Sequence, residues 1–274
     1  MLNTELNAKL NSEKFGKGPS LTLIHGWGAQ NSFWKQWAEE TLAPFFTVHL
    51  IELPGFGYSK SLKLDSPTDM QLESAWLEAI EAVLPKKTHL LGWSLGGLLA
   101  QKIALNYPQK IDKLICMATS PRFTQCDQWQ YGVSPELISD FVKAIKQDKA
   151  ATLKHFWKLQ LQGTEGARPL IKQLMTQVKE SKLPILAGLL QGLQLLSSID
   201  CRPRATEVKS PTLWLLGEND PLIPINFIEA FLAENSTIQP ISHIEILTGA
   251  GHMPFRSHPI ETAQKIIAFL NKDP

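Results

Sequence analysis

The feature that most constrains this chain is Leu90-Leu91-Gly92-Trp93-Ser94-Leu95-Gly96-Gly97, a G-x-S-x-G placed where an apolar run ends and the helical pattern Leu98, Leu99, Ile103 begins. A serine in so tight a strand-to-helix turn is pushed into an unfavourable backbone conformation. The glycines two residues to each side remove Cβ atoms that would collide there. The turn lifts the hydroxyl above a sheet, beside the N-terminal end of a helix. A bare five-residue match would equally suit glycines that only let a helix approach a strand around an ordinary serine; the strand before and the helix after are what separate the two readings.

Short apolar runs bounded by turn residues recur at Leu21–Ile24, Phe46–Leu53, Thr88–Leu91, Leu114–Ala118, Thr212–Leu216 and His243–Leu247. Their length favours buried strands over helices. Between several of them lie helical patterns, such as Leu72, Ala75, Trp76, Ala79, Ile80 and Val83 after a start signal at Ser66-Pro67. Strand, helix, strand predicts an α/β chain with a mostly parallel, doubly wound sheet, and the G-x-S-x-G turn between a strand and a helix of that sheet points to the α/β-hydrolase fold. The alternation stops between about Pro121 and Arg202, where helical periodicity is punctuated by Pro135, Gly163–Gly166, Pro169 and Pro184 into about four helices. The expected division is a core of residues 1–120 and 203–274 with a helical cap insertion at 121–202, lying over the sheet edge where ligands bind.

At 274 residues and 43% hydrophobic, the chain can bury a full core, and a net charge of +1 lacks the basic field of a nucleic-acid binder. Cys116, Cys126 and Cys201 are odd in number and form no CxxC pair, which suits a reducing cytoplasm and suggests neither a disulfide framework nor a zinc site. Met1 to Lys17 has no apolar signal-peptide core, and no later run reaches about 18 uninterrupted apolar residues. A soluble, cytoplasmic monomer with no nucleic-acid or membrane partner is expected. The first 17 residues are read as an edge hairpin without a catalytic role.

A serine hydroxyl attacks an ester at neutral pH only if a base takes its proton and a third group orients that base. Of seven histidines, His252 follows the last strand in Thr248-Gly249-Ala250-Gly251-His252-Met253-Pro254-Phe255, a small-residue loop that would hold an imidazole at the sheet's carboxyl edge. His258, before Pro259, reads as a turn or surface residue, and His49, inside a strand, as packed or facing a neighbouring element. For the acid, Asp220 in Leu215-Leu216-Gly217-Glu218-Asn219-Asp220-Pro221 completes the order Ser, Asp, His; Glu218 is its competitor, and either can instead be a turn residue. Donors must also face the oxyanion. Leu95 offers its backbone N–H. Trp27, in Leu23-Ile24-His25-Gly26-Trp27-Gly28, is expected to aim an N–H into the pocket, with His25 bracing the loop. Gly26-Trp27-Gly28 lacks the G-x-G-x-x-G spacing of a dinucleotide site, no Walker-type loop occurs and no H-E-x-x-H pair is present, so no cofactor and no metal are expected.

Together these stretches resemble the BioH esterases, the pimeloyl-[acyl-carrier protein] methyl ester esterases of biotin synthesis. Besides the two loops above, Leu53-Pro54-Gly55-Phe56-Gly57-Tyr58-Ser59, Ala118-Thr119-Ser120-Pro121-Arg122-Phe123 and the cap motif Phe156-Trp157-Lys158-Leu159-Gln160 with Gly163-Thr164-Glu165 are similar to that family. The core motifs occur across many α/β-hydrolases; the cap motif is narrower. The resemblance implies hydrolysis of the methyl ester of a pimeloyl chain on acyl-carrier protein, with a substrate channel bounded by Trp27, Ser94, Leu95, Phe156 and Gln160. Trp157, Lys158, Leu159 and His252 are grouped with these as substrate residues. Phe123, Trp129, Phe141 and Trp157 are expected to line or cover the channel.

The carrier protein is acidic, and the cap is the basic part of this chain, with ten Lys and Arg against seven Asp and Glu between residues 121 and 200. Arg168 and Lys172, four apart, would share a helix face toward an anionic partner. Where the family has arginine, this chain has Ala151 and His155, leaving Lys154 and Lys158 as substitutes without the planar fork. A solvated helix face is the plain alternative. Two other functions compete with the esterase: a carbon–carbon bond hydrolase or lyase with the same triad acting on a small free acid, and a non-catalytic homologue, against which all the triad residues are present.

Overall fold

Successive residues of a strand point to opposite faces of its sheet, so a run buried at every position needs cover on both sides. Leu21–Ile24, Leu90–Trp93 and Thr212–Gly217 are each buried throughout. The computed structural model, which describes residues 10–236 and 241–272, places these runs in one seven-stranded sheet. Its strands are β1 (Ser12–Phe15), β2 (Ser20–Ile24), β3 (Thr47–Ile51), β4 (Thr88–Trp93), β5 (Ile111–Met117), β6 (Thr212–Gly217) and β7 (Ser242–Leu247), in the order β1-β3-β2-β4-β5-β6-β7. All neighbours pair in parallel except β1, which runs antiparallel along β3 from Ser12 opposite Ile51 to Phe15 opposite Val48. Part of the N-terminal stretch is thus an edge strand, but its partner is β3. Residues 1–9, the rest of the expected hairpin, lie outside the described residues.

The helices are α1 (Lys35–Thr41), α2 (Asp69–Glu81), α3 (Leu95–Asn106), α4 (Pro135–Gln147), α5 (Lys149–Leu159), α6 (Ala167–Lys179), α7 (Leu186–Ser198), α8 (Phe227–Glu234), α9 (Pro254–Ser257) and α10 (Pro259–Leu270). Thr68, not Ser66-Pro67, starts α2: its hydroxyl accepts from the Gln71 N–H while Gln71 reaches back to the Thr68 N–H, a capping box. Helices α4 to α7 fill the interval between β5 and β6. The expected breaks hold at Pro135, Gly166 and Pro184. Pro169 lies within the first turn of α6, where a missing N–H costs nothing, and the break between α4 and α5 falls at Asp148, whose carboxylate caps α5 through the Ala151 N–H at 2.9 Å.

The two ends of this insertion are stitched together. Arg122 and Asp200 form an isolated antiparallel bridge, and the Asp200 carboxylate accepts from Arg122 Nη1 at 3.1 Å and from Arg202 Nε and Nη2 at 2.9 and 2.7 Å. Burial alone would raise that carboxyl; the Arg202 bonds and both guanidinium charges hold it below its ordinary value. Among the described residues, no helix is long and apolar enough to cross a membrane.

Candidate active site

Ser94 joins β4 to α3 with φ 56° and ψ −119°, a strained conformation for a residue with a Cβ. The close approach that enforces it is visible at Gly96, where a Cβ would sit 2.1 Å from the Ile24 carbonyl oxygen, and at Gly92, where one would meet the Gly96 carbonyl oxygen at 2.2 Å. The peptide units of Ser94 are held by the Met117 carbonyl, which accepts from the Ser94 N–H at 3.0 Å, and by Thr119 Oγ1, which donates to the Ser94 carbonyl at 2.9 Å.

Asp220 follows β6 and His252 follows β7, so the loops that carry them leave the same carboxyl edge as the Ser94 turn. His252 Nδ1 lies 2.7 Å from Asp220 Oδ2, both side chains being almost wholly buried. The other carboxylate oxygen of Asp220 accepts from the N–H groups of Leu222 (2.8 Å) and Ile223 (3.1 Å). Those bonds keep a buried carboxylate satisfied and fix which oxygen faces the imidazole. Glu218 is exposed and accepts from the Gly249 N–H at 2.9 Å, bracing the histidine loop rather than touching the ring. The His252 backbone is gripped from both layers: its N–H donates to Gln160 O in the cap at 3.1 Å, and its carbonyl accepts from Trp93 Nε1 at 2.8 Å. Nε2 is buried with no hydrogen-bond partner among the described residues. With Nδ1 taken by the carboxylate, that nitrogen is left as the ring's proton acceptor.

The backbone N–H groups of Leu95 and Trp27 have no hydrogen-bond acceptor among the described residues. Leu95 is the first residue of its helix, so the ladder offers its N–H no acceptor. The indole N–H of Trp27 does not point into the pocket: it donates to the Leu189 carbonyl on α7 at 2.9 Å, which leaves only the backbone N–H of that residue for an oxyanion. His25 fixes that peptide. Its Nε2 accepts from the Leu53 N–H at 3.1 Å, which places the proton on Nδ1 for donation to Gly26 O at 2.8 Å. The Gly26 carbonyl and the Trp27 N–H belong to one planar amide, so a bond to the first orients the second. Burial lowers the His25 pKa to about 4, partly offset by the Gly26 bond, so the ring stays neutral and keeps this tautomer.

Beside Ser94 lies an apolar cavity walled by Trp27, Phe123, Phe141, Phe156, Leu193 and Leu222, with Val133, Leu137, Ile138 and Leu196 completing it. Trp27, Ser94 and Phe156 belong to the substrate set expected from sequence, and Phe123 and Phe141 to the expected aromatic wall. Leu95, Trp157, Lys158, Leu159, Gln160 and His252 are not part of this lining. Lys158 points to solvent from α5, and Gln160, the residue that ends that helix, is buried with its carbonyl turned to the His252 N–H. Trp157 faces Phe33 and donates to the Gly28 carbonyl at 2.8 Å, so it props the loop after Trp27. Trp129 packs on Tyr131 and Phe227. The leucines of α7 were not singled out from sequence, because an apolar helix offers no sign of which face meets a ligand. Lys154, Lys158, Arg168 and Lys172 are all exposed.

The α/β-hydrolase-fold family model matches residues 19–259. The chain is 39% identical to the pimeloyl-[acyl-carrier protein] methyl ester esterase of Aeromonas salmonicida over 94% of its own length and 98% of that protein, and 33% identical to the one of Vibrio vulnificus over 97% and 100%. The chain belongs to the pimeloyl-[acyl-carrier protein] methyl ester esterase family. Among solved structures, an esterase from Exiguobacterium antarcticum superposes with a TM-score of 0.81 at 22% identity, covering 96% of each chain, and a bromoperoxidase from Bacillus anthracis with 0.79 at 20%, covering 98% and 99%. Those two carry different activities on one architecture, so they speak to fold alone. It is membership of the methyl ester esterase family that makes this chain a carboxylic ester hydrolase.

Proposed function

We propose that this chain hydrolyses the methyl ester of a pimeloyl group attached to acyl-carrier protein, releasing methanol and leaving the free carboxylate on the carrier, as a step in biotin synthesis. The observation that carries this reading is the buried His252–Asp220 contact of 2.7 Å on the strand edge that also bears the Ser94 elbow, in a chain 39% identical to such an esterase. In this reading Ser94 Oγ attacks the ester carbon while His252 Nε2 takes its proton. The backbone N–H groups of Leu95 and Trp27 receive the charge on the carbonyl oxygen. His252 then delivers the proton to departing methoxide, forming methanol and an acyl-serine. Water, deprotonated by the same nitrogen, attacks that ester, and the proton returns to Ser94 as the carboxylate leaves. Asp220 holds the ring's tautomer throughout.

The methylene chain would occupy the apolar cavity, which favours an acyl group over a polar one. Phe156 and Gln160 contribute to the site from the cap, the first as wall and the second through the backbone bond that seats His252. The carrier protein would dock on the exposed cations of the cap, Lys154 and Lys158 on α5 with Arg168 and Lys172 on α6. We take the enzyme to act as a monomer in a reducing cytoplasm; Cys116, Cys126 and Cys201 are all free thiols.

The deciding assay is methanol release from pimeloyl-acyl-carrier-protein methyl ester, run beside a short free ester and with Ser94→Ala as control. Strong preference for the carrier-bound ester, abolished in the variant, is the expected result. Turnover of the free ester alone would remove the carrier protein from the reading.

A further inference from the structure

A groove between α1, α6 and the α9–α10 segment holds a cation that ester hydrolysis does not use. Arg256 sits on α9, four residues after His252, and is largely buried. Its Nη2 donates to the Phe33 carbonyl at 2.8 Å and to Gln177 Oε1 on α6. Nε is buried without a partner, and Nη1 makes no hydrogen bond among the described residues. A guanidinium carries five N–H donors, so three of them are left over by these contacts.

Both acceptors are neutral, and no carboxylate pairs with Arg256 among the described residues. Burial accordingly lowers its pKa to about 10. Joining Phe33 to Gln177 would need donors but no charge, and a buried cation without a counter-ion destabilises a fold. The groove itself, of about 310 Å³, is lined by Ser32, Gln36, Gln173 and Gln177 on its polar side and by Trp37 and Phe255 on its apolar side. Glu40 stands at the same groove, but it is exposed and its Oε1 accepts from Gln36 at 2.8 Å. The Phe33 ring lies 5.7 Å from the guanidinium carbon and backs one face of the cation. No residue is shared with the cavity at Ser94.

We propose that this groove is an oxyanion-binding site, separate from the ester site, in which Arg256 takes the carboxylate or phosphate group of a small ligand. The free Nη1 is the point of attachment. Such a ligand provides the missing counter-charge and lets the Nη2 bonds to Phe33 and Gln177 persist, so occupancy tightens the joint between α6 of the cap and the turn after the Trp27 loop.

The test uses the full chain at constant ionic strength set with chloride, titrated with inorganic phosphate and, separately, with succinate. Thermal unfolding is followed in both titrations, and ³¹P line width in the first. A saturable rise in Tm with phosphate, succinate or both is expected in the wild type and in Ser94→Ala, accompanied by ³¹P broadening where phosphate binds. Arg256→Gln should lose the response, and Arg256→Lys should bind at least tenfold more weakly, since an ammonium offers a charge without the fork. Which ligand responds identifies the oxyanion. No saturable response in the wild type, or an equal one in Arg256→Gln, would overturn the proposal. Should Arg256→Gln fail to fold, the Lys variant and the wild-type titration still decide it.

Discussion

Asp220 uses its two carboxylate oxygens for different tasks, one to hold the His252 ring and one to accept two backbone N–H groups. Asp220→Asn keeps the size of the side chain but can offer an N–H where the ring needs an acceptor, favouring the wrong tautomer. A fall in kcat of roughly 10⁴-fold is expected, with the fold intact by circular dichroism. Glu218→Gln, which keeps an oxygen for the Gly249 N–H, should stay within a few-fold of wild type. The sequence alone left these two acids in competition, because both follow β6 within three residues; what separates them is the direction of the turn, which residue spacing does not encode. His25 supports a second expectation. Its folded pKa of about 4 lies below the ordinary 6.5, so between those values the unfolded chain binds the extra proton, and stability contributed by the neutral ring is present above pH 6.5 and lost as pH falls toward 4. Urea unfolding of wild type and His25→Gln should show their stability difference shrinking by about 2–3 kcal/mol between pH 7 and pH 4.5. At pH 7 the variant should lose about 10²- to 10³-fold in kcat, through the peptide that carries the Trp27 N–H, with little change in KM.

Helix α7 shows what an element contributes that its residues do not advertise. Gly188 and Gly192 are four apart on one face, and each lets the helix come close to a core loop. A Cβ at Gly188 would lie 2.8 Å from both Gly55 Cα and the Pro54 carbonyl oxygen; one at Gly192 would lie 2.7 Å from Trp27 Cδ1. This contact seats the Leu189 carbonyl that accepts the Trp27 indole N–H. Gly192→Ala should therefore displace the Trp27 ring and reduce kcat/KM at least tenfold, seen as altered indole fluorescence in a chain that still folds. Gly188→Ala meets the unyielding backbone of Pro54 and Gly55 and should cost about 1–3 kcal/mol by urea unfolding. The inner strands β2, β4, β5 and β6 are legible from sequence because burial on both faces makes them nearly unbroken apolar runs, and the elbow is legible because its glycines have no room for a Cβ. The α7 glycines and the leucines walling the cavity are not, because helical periodicity marks a buried face without saying whether helix, loop or ligand covers it.

On the scale of the whole molecule, charge is divided between the layers. Residues 121 to 200 carry ten basic against seven acidic side chains, and the remainder carries 17 against 19, so a chain of net charge +1 presents a basic cap on a slightly acidic core. The apolar cavity beside Ser94 has no lysine in its lining, and Lys154, Lys158, Arg168 and Lys172 are exposed. If the cations serve docking, their effect must appear in encounter and binding of an acidic carrier and leave the bond-breaking step untouched. Raising ionic strength from about 0.05 to 0.5 M shortens the screening length to a few ångströms and should lower kcat/KM for the carrier-bound ester by about tenfold or more, while a short free ester is hydrolysed at an unchanged rate. Replacing Arg168 and Lys172 together by glutamate should raise KM for the carrier-bound ester and flatten that salt dependence, again leaving the free ester unaffected. Parallel losses on both substrates would instead mean that the cap helices matter only as a lid over the apolar cavity, and that the carrier is recognised by a surface other than this one.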